Sequence, residues 1–289
     1  MNPWIIAIRP KTLIASFSPV LVGNALAFHS SEYSWLIAIS SFICALCLQV
    51  TVNFANDYFD HKHQVDTNER LGPLRACQSG LISPTKMKLG IVASISLAII
   101  SGLILVTHSD IWIFILGLLS IICALLYSGG KYPLANFALG EVTVFAFFGP
   151  IAVVGSYYLQ TQDTSMQSWV MGAIFGLLNA AIMFTNNTRD IRTDIKAGKH
   201  TLAVKLTKEM CSPMYRAMIL GAYALLFFSY FLGLWKGLPV LFTGIWVFYA
   251  QIISKRFENA SGKEFNSILE STSKLTLLTS VCFSLSYLY

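Results

Sequence analysis

Residues 56–66 read NDYFDHKHQVD and follow directly on an apolar run from Trp35 to Phe54. A run of that length spans a bilayer core, which takes about 20 helical residues to cross. Asp57, Asp60 and Asp66 therefore crowd the mouth of a membrane helix. Carboxylates placed there repel one another and are costly to desolvate, and a bound cation relieves both problems. Asp57 and Asp60, three residues apart, share one face of a continuing helix. A second cluster, Asn187, Asp190 and Asp194 in NNTRDIRTD, follows the apolar run from Trp169 to Phe184. Asp190 and Asp194 are four apart and share a face in the same way. The two clusters are expected to meet at one end of a helix bundle.

Composition supports a chain embedded in lipid. Of 289 residues, 55% are hydrophobic and 12% charged, against about 25% charged in soluble domains. The net charge of +6 does not point to nucleic acid, because the basic residues are divided among links and not gathered into a stripe. Cys44 and Cys47 form a C-x-x-C inside the second apolar run and read as small apolar helix residues, since a redox pair needs exposure and a lowered pKa. The N-terminus has its basic residues after a short apolar stretch and no small-residue cleavage site, so the first helix is expected to be retained.

Nine apolar segments are expected to form helices, at about 12–29, 35–56, 88–107, 111–128, 138–159, 169–187, 213–234, 238–254 and 272–289. The links between them alternate in charge. All Lys and Arg except Lys236 fall on links of one side. The positive-inside rule places that side, with the N-terminus and both acidic clusters, in the cytoplasm, and the C-terminus outside. The fold class is thus all-α: a single polytopic domain over 1–289, with two long links, about 57–87 and 188–212, capping the bundle mouth. Each half carries a helix ending near Asn, two Asp at helical spacing and a basic link, a weak internal repeat.

Paired hard oxygens beside Asn suit Mg²⁺, which keeps waters and takes one or two carboxylates plus substrate phosphates. Lys62, Arg70, Arg75, Lys131, Arg189 and Lys199 surround them. Carboxylates for metal with cations for phosphate is the set needed to bind a diphosphate and stabilise its departure. Phe54, Tyr58, Phe59, Tyr127, Tyr132, Phe145, Phe147 and Phe148 offer an apolar, aromatic interior behind it, where an attached apolar chain could lie and an allylic cation could be held away from water. Glu141, just inside the fifth apolar segment, is either a functional acid or a helix-start charge. His61 and His63 beside Asp60 read as solvated loop residues rather than a zinc site.

These motifs resemble those of the UbiA-type intramembrane prenyltransferases. NDYFD with Asp66 is similar to the family's first aspartate motif and RDIRTD to its second. RPKTLIASFSPVLVGNALA (9–27), DTNERLGPLRACQSGLIS (66–83), YSGGKYPLANFALGEVTVFAFFGPIAVVG (127–155) and NNTRDIRTDIKAGKHTLAVKL (186–206) resemble specifically the 1,4-dihydroxy-2-naphthoate polyprenyltransferase branch. The resemblance implies a nine-helix bundle with a central cavity and a cytoplasmic cap in a bacterial inner membrane. It implies Mg²⁺-dependent transfer of a polyprenyl group from its diphosphate to dihydroxynaphthoate, with loss of CO₂. Asn56, Asp57 and Asp60 would hold one Mg²⁺, and Asp190 and Asp194 a second. Lys131, Arg70 and Lys199 would contact diphosphate; Asn187, Tyr127 and Glu141 join them as substrate-site candidates, and Asp66 would support metal or orient the acceptor. Two rivals remain: another acceptor, such as 4-hydroxybenzoate or homogentisate, and a cation-coupled transporter, whose sites usually lie at the midplane on broken helices.

Overall fold

A computed structural model describes residues 2–63, 71–130, 133–235 and 239–288. Asp66, Arg70, Lys131 and Tyr132 lie outside the described residues. The described residues are mainly helical: α1 (Pro3–Ile8), α2 (Pro10–Ala27), α3 (Trp35–Lys62), α4 (Pro84–Thr107), α5 (Ile111–Leu126), α6 (Gly140–Ala146), α7 (Ala152–Thr161), α8 (Met166–Lys196), α9 (Leu202–Lys205), α10 (Lys208–Phe231), α11 (Pro239–Asn259) and α12 (Phe265–Leu288). Each expected apolar segment lies on one of the long helices or on the α6–α7 pair. Among the described residues five spans are long and apolar enough to cross a membrane: α3, α4, α6–α7, α8 and most of α10.

Starts and stops follow local chemistry. Ser34, Ser83, Asp110 and Ser165 cap α3, α4, α5 and α8 by accepting a backbone N–H of the first turn. The α3 and α8 helices do not stop where their apolar runs do. They continue to Lys62 and Lys196, so both acidic clusters ride on helix and not on loop. This corrects the expected cap: its second link shrinks to 197–207, with the short α9 inside it, and the described part of the first, 71–83, is a set of turns and not helix.

Burial sorts the helices. The α8 span is 67% buried and the α4 span 22%, which makes α8 the axis and α4 a lipid-facing wall. Leu89, Val92, Ile100, Ile111, Trp112 and Leu118 stay exposed on α4 and α5, and apolar exposure on that scale is solvated by acyl chains. The main core gathers Phe175, Leu178 and Phe184 of α8 against Tyr215, Ile219 and Tyr223 of α10, Ile253 of α11 and Leu275 of α12. Polar bonds pin this core: Tyr215 Oη lies 2.6 Å from Thr272 Oγ1, and Tyr223 Oη 2.7 Å from Thr279 Oγ1. At the other end Gln160 of α7 donates to Asn24 Oδ1 of α2 (2.9 Å) and to the Ser34 carbonyl (3.0 Å) before α3.

Between α6 and α7 the helix kinks at Gly149-Pro150 through one wide turn, Phe147–Ile151. Pro150 has no N–H to continue the ladder. Asn179 of α8 compensates by donating to the Phe148 carbonyl at 3.2 Å. A Cβ at Gly149 would sit 2.4 Å from the Gly172 carbonyl oxygen and 2.6 Å from Gly176 Cα. Backbone therefore packs on backbone here.

Candidate active site

One cavity opens at the cap end of α3 and α8, and both acidic clusters reach it. Asn56, Asp60 and His63 of α3 line it together with Asn186, Asn187, Asp190, Thr193 and Asp194 of α8. Arg9, Arg75 and Lys199 add positive charge, and Tyr127, Ser128, Asn136, Met183 and Thr201 complete much of the rest.

Among the described residues, each carboxylate that lines the cavity has a cation. Arg75 pairs with Asp60. Arg189 grips Asp190 through two bonds, Nε to Oδ1 at 2.8 Å and Nη2 to Oδ2 at 2.6 Å. Lys199 Nζ lies 3.5 Å from Asp194 Oδ1. Arg189 is only 5% exposed and is satisfied further by Asn186 and Asn266, both at 2.8 Å. Asn266 in turn donates to the Leu71 carbonyl at 2.9 Å. The second acidic cluster is thereby tied, through α12, to the turns that follow the first.

The α8 terminus delivers Lys199. Gly198 takes φ +68, a left-handed conformation that suits glycine. The chain doubles back, Lys199 N–H donates to the Asp194 carbonyl at 2.9 Å, and His200 N–H to the Asn136 carbonyl at 2.7 Å. Gly198→Ala is expected to cost about 1–2 kcal/mol of stability, visible as a lower unfolding temperature in detergent, and to weaken donor binding by displacing Lys199.

Asp57 is not where the spacing argument put it. It is 1% exposed, and its two oxygens accept the backbone N–H groups of Ala76 (2.9 Å) and Cys77 (3.0 Å). It faces the 71–83 turns and does not line the cavity, so its expected place on the cavity face is corrected. The pair sharing the cavity face is Asn56 with Asp60, whose four-residue spacing turns them about 40° apart at roughly 100° per residue, while Asp57 is turned about 100° from Asn56. Burial, with the Asp57 carboxylate beside it, pushes the Cys77 thiol up to about 12; it stays a neutral thiol.

The aromatic expectation also changes. Tyr127 lines the cavity, but Phe54, Tyr58 and Phe59 pack with Ala76, Ile82 and Met87 into a second core between α3, α4 and the turns. Phe145 packs on Gly176. Asn187 is in the wall, and Glu141, 3% exposed, stands behind it, accepting Asn187 Nδ2 at 2.9 Å. Sequence reasoning had placed Arg75 and Arg189 only in the general basic set and had read Arg9 for topology alone. Ser128, which donates to Asn56 Oδ1, and Asn186 fall inside the quoted motif stretches, but nothing in their spacing singles them out as site residues. An Arg directly before Pro10 at the first helix mouth was the available hint for Arg9.

The donor set is hard: amide and carboxylate oxygens from two helices, with three cations beside them. Among the described residues no group of three His, Cys, Asp or Glu side chains forms a ready cage. Mg²⁺ does not demand one, since water and substrate phosphate complete its shell. The residues present therefore fit Mg²⁺ with a diphosphate.

Known proteins agree. The UbiA prenyltransferase family matches residues 16–271. A 1,4-dihydroxy-2-naphthoate octaprenyltransferase of Escherichia coli (strain K12) is 35% identical, over 98% of this chain and 94% of that protein. Its counterpart from Haemophilus influenzae is 33% identical, over 100% and 96%. A UbiA homolog from Archaeoglobus fulgidus bound to DMAPP and Mg²⁺ shares the fold, with a TM-score of 0.67 at 17% identity over 99% of this chain and 98% of that one. With the family pattern running along most of its length and these relatives matching nearly end to end, the chain belongs to the UbiA prenyltransferase family and is a membrane-embedded prenyltransferase.

Proposed function

We propose that this chain transfers a polyprenyl group from its diphosphate to 1,4-dihydroxy-2-naphthoate, releasing diphosphate and CO₂ and giving demethylmenaquinol. The carrying observation is that Asn56, Asp60, Asp190 and Asp194 line one cavity with Arg9, Arg75 and Lys199. The acceptor follows from what the relatives named above act on. Asn56 and Asp60 would hold one Mg²⁺, and Asp190 and Asp194 a second. When bound, Mg²⁺ supplies the charge that neutralises a departing diphosphate.

The chain's own residues do the rest. Lys199 and Arg75 rest on Asp194 and Asp60, and from there they would contact the oxygens of a diphosphate held beside those carboxylates. Charge leaving the allylic carbon is thus received by groups already in place. Tyr127 and Met183 line the same cavity, and the carbon left behind is assigned to their side of it. The electron-rich ring then attacks that carbon. Asp66, Arg70 and Lys131 are assigned by motif position as further contacts to metal or phosphate. The cavity, the cap turns and the N-terminus are assigned to the cytoplasmic side of a bacterial inner membrane, and the C-terminus to the outside, on the distribution of Lys and Arg.

Incubating purified protein with labelled prenyl diphosphate and Mg²⁺ tests this, with dihydroxynaphthoate, 4-hydroxybenzoate and homogentisate offered in turn. Labelled demethylmenaquinol, with CO₂ released in equal amount, is expected from the first acceptor alone. Product from either of the others at a comparable rate overturns the acceptor assignment.

A further inference from the structure

Glu141 is the second residue of α6 and is 3% exposed. Its Oε1 accepts Asn187 Nδ2 at 2.9 Å. Its Oε2 is fully buried and meets no donor from another residue; among the described residues no other carboxylate oxygen is in that condition. Asp60, Asp190 and Asp194 each have a cation, whereas Glu141 has an amide.

A second group beside it is under-used. Tyr127 Oη donates to Met183 Sδ at 3.4 Å, and a thioether is a weak acceptor. The two lie together: a Cβ on Gly140 would be 3.7 Å from Tyr127 Oη and 4.0 Å from Asn187 Nδ2. Tyr127, Met183 and Asn187 all line the cavity, and Glu141 stands directly behind Asn187, so a ligand in the cavity meets Oε2 where these wall side chains make room. A buried carboxylate oxygen without a donor is costly. Such a defect persists where a ligand supplies the missing donor.

The chemistry of that ligand is constrained. Diphosphate oxygens only accept hydrogen bonds, and they carry the same charge as Glu141. A neutral hydroxyl on an aromatic ring donates one. We propose that Glu141 Oε2 accepts the acceptor's ring hydroxyl and takes its proton as the new carbon–carbon bond forms. The proposal rests on the dihydroxynaphthoate reading above.

The step balances without another reagent. The O–H pair becomes the carbonyl C=O as the proton passes to Glu141. The ring pair forms the bond from the carboxylate-bearing carbon to the prenyl carbon, and diphosphate leaves with its own C–O pair. The product is a ketone whose neighbouring carbon carries a carboxylate. Loss of CO₂ returns a bonding pair to the ring as an enolate, and the enolate oxygen takes the proton back from Glu141. The proton is borrowed and not consumed. Placing the acid next to this hydroxyl thus serves both the attack and the decarboxylation.

The test uses the full chain in detergent, with kcat and KM for dihydroxynaphthoate, and competition by 1-hydroxy-2-naphthoate and by 2-naphthoate, which lacks the hydroxyl. Wild type is expected to bind the hydroxylated inhibitor more tightly by on the order of 10-fold. Glu141→Gln is expected to lose that preference and about 10²-fold in kcat, while Glu141→Asp recovers part of the kcat. A preference that survives in Glu141→Gln, or equal kcat in the Gln and Asp variants, overturns the proposal. Wild type that fails to prenylate dihydroxynaphthoate removes the acceptor reading and this inference with it; a Glu141→Gln protein as active as wild type removes this inference alone.

Discussion

Asp190→Asn is expected to lower prenyl transfer by roughly 10²–10³-fold, the scale on which one preorganised charge-stabilising group acts, and to raise the Mg²⁺ concentration needed for half-maximal rate. Asp190 lines the cavity and is held by both arms of Arg189. Asparagine keeps the shape and one oxygen, so Arg189 stays tethered to Asn186 and Asn266. The protein should remain folded, and the loss should be one of function. The resident cations sharpen the expectation. Because Arg75, Arg189 and Lys199 already neutralise Asp60, Asp190 and Asp194, chelating Mg²⁺ should stop turnover and leave the unfolding temperature nearly unchanged. Mg²⁺ bound far more tightly than its working concentration requires would instead act as a folding ligand, and its removal would lower that temperature. Unchanged turnover and unchanged Mg²⁺ dependence in Asp190→Asn would remove the metal assignment for α8. Combined with Asp60→Asn, the loss should be far less than the product of the two, because groups acting as one unit are not additive.

The helices were legible because an apolar run in a bilayer has one main backbone solution, and Trp35–Phe54 and Trp169–Phe184 state theirs plainly. The meeting of the two clusters was legible as well: α3 and α8 both carry carboxylates at the same end of an apolar run. What spacing did not decide was which carboxylate faces inward. Asp57 and Asp60 do lie within about 60° of each other, but Asp60 stands between Asn56 and Asp57, and the cavity is on the Asn56 side. Three-residue spacing puts Asp57 and Asp60 on one side of α3 but does not say on which flank of Asp60 the cavity lies. Arg75 stood in the basic set, but its pairing with Asp60 was not legible, for another reason. It arrives on a turn whose shape is set by backbone bonds to a distant side chain, and no periodicity encodes that. The three-way link from Arg189 through Asn266 to Leu71 is likewise a property of the assembled bundle. Glu141 was visible as an ionisable residue at a helix start, but only the unpartnered oxygen separates a site from a helix-start charge.

Asp57→Asn and Asp60→Asn should fail in different ways, although both lie in one five-residue motif. Asp57 serves the backbone of Ala76 and Cys77, and those bonds fix the turn that lays Arg75 on Asp60. An amide in place of the carboxylate keeps one acceptor and sets a donor against the other N–H. Leaving a buried donor unsatisfied costs about 1–3 kcal/mol, so Asp57→Ala, which strands both, should cost roughly 2–5 kcal/mol. The Asp57→Asn protein should unfold at lower temperature and lose kcat as Arg75 drifts, yet keep the wild-type Mg²⁺ concentration for half-maximal rate, because Asp57 is outside the cavity. Asp60→Asn alters a cavity oxygen and should raise that concentration. Titrating Mg²⁺ against rate for the two variants, beside their unfolding temperatures, separates the roles. A rise in Asp57→Asn equal to that in Asp60→Asn would mean that Asp57 reaches the metal in the working enzyme and leaves the turn to do so. Thermal stability would then be unaffected only if other groups took over Ala76 and Cys77, and no sequence neighbour of Asp57 on α3 is turned toward them to the same degree.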